Sequence, residues 1–183
     1  MDTKGTLIFF CGKMGAGKTT KSLQLSQELN AVLISEDDWL TSLYPNEIKD
    51  FNEYLHFSIR LKPLVKAHVQ NILKTGVSVI LDFPGSTRNQ RAWFIEVCSQ
   101  VDAPHKLFYL KASDDQCLRH LGQRRVSHPE RAAFDTEEVF HQVSSYFQAP
   151  EEDEGLDIHV LERKKHKQSL HVDFSNAARL QNQ

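Results

Sequence analysis

The sequence predicts an α/β fold in which a parallel sheet of five strands carries helices on both faces. Three observations point there. Short apolar runs of strand length recur at 6–11, 31–35, 77–82, 106–110 and 156–161, and stretches of helical periodicity separate them. Strands that alternate with helices are joined by crossovers, which makes them parallel. Between the first run and the first helix lies Gly12-Lys13-Met14-Gly15-Ala16-Gly17-Lys18-Thr19, a match to G-x-x-x-x-G-K-[ST].

The first run, Thr6-Leu7-Ile8-Phe9-Phe10-Cys11, is bounded by Gly5 and Gly12 and suits a buried strand. The glycines after it let backbone N–H groups turn around phosphate oxygens where side chains would block the approach. Lys18 through Leu29 reads as a helix whose positive end faces the same anion. In such a loop Lys18 reaches the β- and γ-phosphates, and the Thr19 hydroxyl ligates magnesium. Nucleotide binding follows from this stretch; catalysis does not.

The second run, Ala31 to Ser35, ends in Glu36-Asp37-Asp38-Trp39. Acids at the C-terminal end of a parallel strand sit where ligands bind. Either Asp37 or Asp38 caps a helix beginning at Trp39, or one of them serves as general base or magnesium partner, and the two roles can be divided between them. Residues 46–61 place Phe51, Tyr54, Leu55, Phe57 and Leu61 at helical spacing, as a helix over the sheet end. A separate amphipathic helix is expected from Leu61, with Pro63 in its first turn, His68 on its packed face and Gly76 as its stop.

The third run, Val77 to Asp82, ends in a carboxylate placed to hold magnesium or orient an acceptor, or to cap a turn. A helix follows, N-capped by Ser86 or Thr87 and carrying Trp93, Phe94, Val97 and Cys98; Arg88 and Arg91 near its start are either clamps for an acceptor or surface charges. The fourth run precedes Ser113-Asp114-Asp115-Gln116, a capping box opening a helix with Cys117, Leu118 and Leu121. That helix is expected to break at Gly122, where the apolar pattern lapses and arginine accumulates. Four of the chain's nine arginines fall between 119 and 131, either in a solvated loop or in a lid that adds guanidinium charge over phosphates. Asp135 with Glu138 at N3 is expected to open the next helix, an acidic loop spans 148–155, and Leu156 to Leu161 alternates as an edge strand.

At 183 residues, with 40% hydrophobic and 25% charged residues, the chain is long enough for one domain with a real core. A net charge of -2 gives no general attraction to nucleic acid or to anionic membrane. The N-terminal apolar run is too short for a membrane span or a signal segment, so a cytoplasmic location is expected. Cys11, Cys98 and Cys117 lack C-x-x-C spacing and read as core residues. From Glu162 onward a basic run passes into a polar tail, read as solvated; it lacks aromatic interleaving, so support for nucleic-acid contact is weak.

The phosphate loop, the Glu36-Asp37-Asp38 acids, Asp82 with Arg91, and the Arg124-Arg125 pair together resemble the small P-loop kinase superfamily, in particular the group of polynucleotide kinase, chloramphenicol phosphotransferase and zeta toxin. Within that group the chain is most similar to bacterial AAA-type ATP-binding proteins. The resemblance spans residues 6–161 and implies a P-loop NTPase three-layer sandwich: a domain over 1–161, an acceptor-side helical cover over 38–75, an Arg-rich lid over 122–135, and a tail over 162–183. It departs from the pattern at Trp39-Leu40 and at Phe83-Pro84-Gly85, where many relatives carry polar residues.

The resemblance implies ATP and Mg2+ as cofactors. Gly12, Lys13, Met14, Gly15, Ala16, Gly17, Lys18, Thr19 and Thr20 would bind the nucleotide, with Arg124 and Arg125 from the lid; Thr19 and Asp82 would serve the metal. Lys18, Asp37 and Arg124 would carry catalysis, Asp37 taking the proton of an acceptor hydroxyl on a small molecule. Two other readings stand beside this one: a nucleotide-dependent switch for a protein partner, and a kinase of polynucleotide 5′-hydroxyl ends.

Overall fold

The computed structural model describes residues 3–162. The basic tail expected over 162–183 therefore lies outside the described residues from 163 on. Five strands, β1 (Leu7–Cys11), β2 (Val32–Ser35), β3 (Val79–Asp82), β4 (His105–Lys111) and β5 (Ile158–Glu162), form one sheet in the order β2-β3-β1-β4-β5, with every pairing parallel. The helices are α1 (Lys18–Glu28), α2 (Glu36–Leu43), α3 (Phe51–Lys74), α4 (Arg88–Ser99), α5 (Asp114–Ser127) and α6 (Glu137–Ser144), with short 3-10 turns at Pro129–Arg131 and Glu152–Glu154.

Strand periodicity divides the core between the two faces of the sheet. Leu7, Phe9, Cys11, Val79, Leu81 and Leu107 pack with Leu40 of α2, with Leu61, Val65, Val69 and Leu73 of α3, and with Phe94 and Val97 of α4. The alternate residues Ile8, Phe10, Ile80 and Leu110 pack on the other face with Leu25 of α1, with Cys117 and Leu121 of α5, and with Phe140 of α6. Because β1 and β3 are buried on both faces, they need continuous apolar runs, and they have them. The three cysteines are free and buried, as core packing requires. None of the described helices is long and apolar enough to cross a membrane.

Chain order places β1 between β3 and β4, so the connection leaving β1 goes to one side of the sheet and the one leaving β3 goes to the other. The crevice at that switch point, outside the strands' C-terminal ends, is where such sheets bind ligands.

The helix boundaries depart from expectation in four places. Residues 51–74 form one helix rather than two, with Pro63 inside it. The buried positions Ser58, Leu61, Val65, Val69 and Leu73 run through the proline without a break, while Pro63 and Ile59 are exposed, so the missing hydrogen bond falls on the water side. α5 does not break at Gly122 but continues to Ser127. α2 begins at Glu36, not Trp39, capped by Ser35, whose hydroxyl accepts from the Asp38 N–H. α6 is opened by Thr136, whose hydroxyl accepts from Val139, and not by Asp135. In the last two cases a hydroxyl takes the cap and frees the neighbouring carboxylate for an ion pair.

Candidate functional site

The glycine loop joins β1 to α1. Gly15 has φ +77°, and a Cβ there would stand 2.6 Å from the Cys117 carbonyl oxygen, so both backbone and space demand glycine. At Gly12, with φ +152°, a Cβ would stand 2.8 Å from the Leu110 carbonyl oxygen. Ala16 is buried, Met14 and Lys13 are half-buried, and Thr19 and Thr20 are exposed at the start of α1. Lys13 is tied to Asp114 of α5 at 2.6 Å. Beneath the loop, burial pushes the Cys11 thiol up to about 11, so it packs as a neutral group.

The end of α1 that faces this loop is unlike the others. Helices α2 to α6 are each N-capped by a side chain, from Ser35, Asp50, Thr87, Ser113 and Thr136 respectively. α1 starts after Gly17 in a left-handed conformation with no side-chain cap. Its first N–H groups are left to an outside acceptor, at the positive end of the helix and within the glycine loop.

Lys18 curls back into the loop, its Nζ donating to the carbonyls of Gly12 at 2.7 Å and Lys13 at 2.9 Å. Burial holds its ammonium below the ordinary lysine range; the Asp82 charge opposes that and the more weakly acting Arg124 charge adds to it. Asp82 ends β3 beside the Thr19 hydroxyl, which favours its charged form. Its carboxyl is raised mainly by burial, against Thr19 and Lys18, while Asp37 and Asp38 raise it further. Lys18, Thr19, Asp82, Asp37 and Arg124 thus converge on the crevice above β1 and β3.

Among the described residues, no group of three or more His, Cys, Asp or Glu side chains gathers as a metal site. Thr19 and Asp82, a hydroxyl and a carboxylate side by side, fit magnesium, which keeps its waters and takes one or two protein oxygens besides phosphate.

Asp37 lies in the first turn of α2, about half exposed, with Arg131 Nη1 at 3.0 Å from its Oδ2. Arg124, near the end of α5, forks onto both oxygens of Asp135. Its neighbour Arg125 is exposed. The sequence pattern places Arg131 in the arginine-rich stretch without a partner and Asp135 at a helix start; the ion pairs of both come only from the fold.

Two further residues differ from what their neighbourhoods suggested. Arg91, read as an acceptor clamp or a surface charge, is 1% exposed. Its guanidinium donates to both carboxylate oxygens of Glu154 at 2.7 Å, to the Gln148 carbonyl at 2.8 Å and to the Gly85 carbonyl at 3.2 Å. It fastens the acidic loop against the turn after β3, so it is neither a clamp nor a surface group. Arg88 meets Asp153 at 2.7 Å on the surface of the same loop. Glu36, unremarked beside Asp37, is buried and accepts from the Ser58 hydroxyl at 2.6 Å and from the Tyr54 hydroxyl. Burial raises its carboxyl above the usual range, and the two hydroxyls offset part of that. The four-residue spacing of Tyr54 and Ser58 was the signal, and it shows only when α3 is set beside α2.

This fold and this loop define a P-loop nucleotide-binding protein. An AAA domain family model matches residues 7–150, and the chain belongs to that family. Solved structures share the fold. A putative kinase from Chloroflexus aurantiacus has a TM-score of 0.68 at 18% identity, covering 87% of this chain and 86% of its own. The Mycobacterium tuberculosis APS kinase CysC, in complex with AMPPNP and APS, has 0.63 at 16%, covering 89% and 91%. Chaetomium thermophilum Kti12, in complex with ADP-AlF3, has 0.62 at 19%, covering 85% and 88%. No curated protein matches the chain.

Proposed function

We propose that the protein binds ATP with magnesium and transfers the γ-phosphoryl group to a hydroxyl of a small molecule. The observation that carries this reading is the meeting of Lys18, Thr19, Asp82 and Asp37 at the N-terminal end of α1, which no side chain caps. The bound nucleotide analogues in the APS kinase and Kti12 structures lend the choice of ATP further support.

The uncapped N–H groups and the loop receive the β- and γ-phosphates. Lys18 exchanges its two loop carbonyls for phosphate oxygens. Thr19 and Asp82 would hold magnesium, which neutralises charge on the phosphate oxygens when bound. Asp37 accepts the acceptor's proton while that oxygen forms its bond to the γ-phosphorus; the bond to the bridging oxygen breaks, and ADP leaves with the electron pair. Arg124, whose charge acts on Lys18, stabilises the charge that moves to the leaving oxygen.

The test is ADP release from magnesium-ATP, alone and with pooled metabolites or 5′-hydroxyl oligonucleotides, beside Lys18→Ala and Asp37→Asn. One metabolite pool should raise release, and both variants should abolish the rise. Asp37→Asn should lose about 100- to 10,000-fold in turnover while still binding ATP. Strong transfer by Asp37→Asn would remove Asp37 from the chemistry. ATP binding with no turnover in any pool would favour the nucleotide-dependent switch, and a rise only with oligonucleotides would favour the 5′-hydroxyl kinase.

A further inference from the structure

Asp135 is fully buried at the end of the lid segment, and two arginines converge on it. Arg124 forks onto both oxygens, and Arg131 Nε stands 3.6 Å from Oδ2. Arg131 Nε is itself buried and makes no hydrogen bond. The tip of the same guanidinium crosses to α2 and donates to Asp37 Oδ2 at 3.0 Å. One buried anion therefore anchors both Arg124, whose charge acts on Lys18, and the arginine that reaches Asp37.

Asp37 needs such a partner. Glu36 is adjacent, Asp82 and Asp38 lie on the same side, Tyr54 faces it from α3, and Glu36 and Asp82 are both raised by the Asp37 charge. Repulsion from these carboxylates favours an outward turn of this half-exposed aspartate into water, and the Arg131 guanidinium, 3.0 Å from its Oδ2, opposes that turn.

We propose that Arg131 is a positioning residue for Asp37, and that Asp135 sets Arg131 and Arg124 together, so that lid and acceptor base occupy their places as one unit. The proposal rests on the phosphoryl-transfer reading for its catalytic consequence. Arg131 occupies Oδ2 and leaves Oδ1 to receive the acceptor's proton. A positioning role acts on the chemical step and not on nucleotide capture, so it separates kcat from KM for ATP.

Two measurements test it, and only one depends on turnover. The first is amide hydrogen exchange on the nucleotide-free chain. The N–H groups of Arg131, Ala132, Phe134 and Asp135 are hydrogen-bonded within the segment. Asp37→Asn should speed their exchange by about two- to fivefold, the range set by a partly exposed ion pair, while Asp38→Asn should not. Unchanged protection of the lid in Asp37→Asn overturns the link between the two sides. The second is kinetic, with the pool that supports turnover. Arg131→Gln should lower kcat about tenfold with KM for ATP little changed, Arg131→Lys should recover most of it, and Asp135→Asn should lower kcat and raise KM for ATP, because Arg124 is released as well. Full kcat in Arg131→Gln overturns the positioning role. A wild-type protein inactive with every pool overturns the transfer reading, and the catalytic role of Arg131 with it; the exchange result still decides the link itself.

Discussion

Arg91 and Glu154 show what a buried ion pair does when it serves the scaffold. With side chains 1% and 6% exposed, the pair sits where removing one partner strands the other. Glu154→Gln keeps the shape but leaves the guanidinium unneutralised, and it should lower stability by about 3 kcal/mol in urea unfolding at neutral pH. Burial alone would raise the Glu154 carboxyl, yet the hydrogen bonds from Arg91 and from the Glu151 N–H, with the charges of Arg91 and Arg88, together outweigh it and hold it below the usual glutamate range. A depressed folded-state value means that the stabilisation is complete above the unfolded-state value and is lost as pH falls through the folded one. The gap between wild type and Glu154→Gln should therefore be full at pH 7 and narrow at acid pH, below about 4. No local pattern could announce this pair, because its members are 63 positions apart and each sits among like neighbours: Arg91 near Arg88, Glu154 in an acidic run. The glycine loop differs in kind, since all its parts are contiguous and each glycine answers a local demand.

At the level of the element, α5 carries a testable excess of freedom. Gly122 lies inside the helix with a backbone that any residue adopts, and an added Cβ would meet nothing within 4 Å. Gly122→Ala should therefore raise stability by about 0.5–1 kcal/mol, seen as a higher urea midpoint with unchanged slope. Gly15→Ala, by contrast, forces a Cβ onto the Cys117 carbonyl and should cost nucleotide binding. The five strands and most of the six helices were legible because their periodicities are local. Pro63 and Gly122 misled for one reason: each is an unfavourable residue for a helix interior, and only tertiary contacts decide whether the helix survives it. Leu61, Val65, Val69 and Leu73 against the sheet carry α3 through its proline, and Cys117 and Leu121 seat α5 ahead of its glycine. The caps at Ser35 and Thr136 displaced Asp37, Asp38 and Asp135 from that role because a hydroxyl close by in sequence, two or three residues before the first pair and one residue after Asp135, was equally competent, and sequence could not rank them.

For the molecule as a whole, the crevice gathers groups from β1, α1, α2, β3, α5 and the segment before α6, so a ligand there ties together elements far apart in the chain. The family and the fold were within reach of the sequence because the loop and the strand-helix alternation precede any tertiary contact. Which arginine of the 119–131 stretch meets which acid was not, since α5 and α2 are brought together only by the sheet order. A nucleotide bound only by the folded chain should raise its stability by about 2.7 kcal/mol at a concentration one hundred times its dissociation constant, through mass action alone. Thermal unfolding with ADP should show that rise, and Lys18→Ala should lose most of it. Magnesium adds a further increment if Thr19 and Asp82 hold it, so chelation by EDTA should lower the ADP-bound midpoint. The decisive variant is Asp82→Asn. Its carboxylate is partly desolvated and flanked by Asp37 and Asp38, so neutralising it relieves repulsion in the ligand-free chain while removing an oxygen anion that the metal needs. Asp82→Asn should thus keep or slightly raise the ligand-free midpoint, retain stabilisation by ADP, and abolish the difference that EDTA makes. An undiminished EDTA effect in that variant would assign the metal to other oxygens in the crevice.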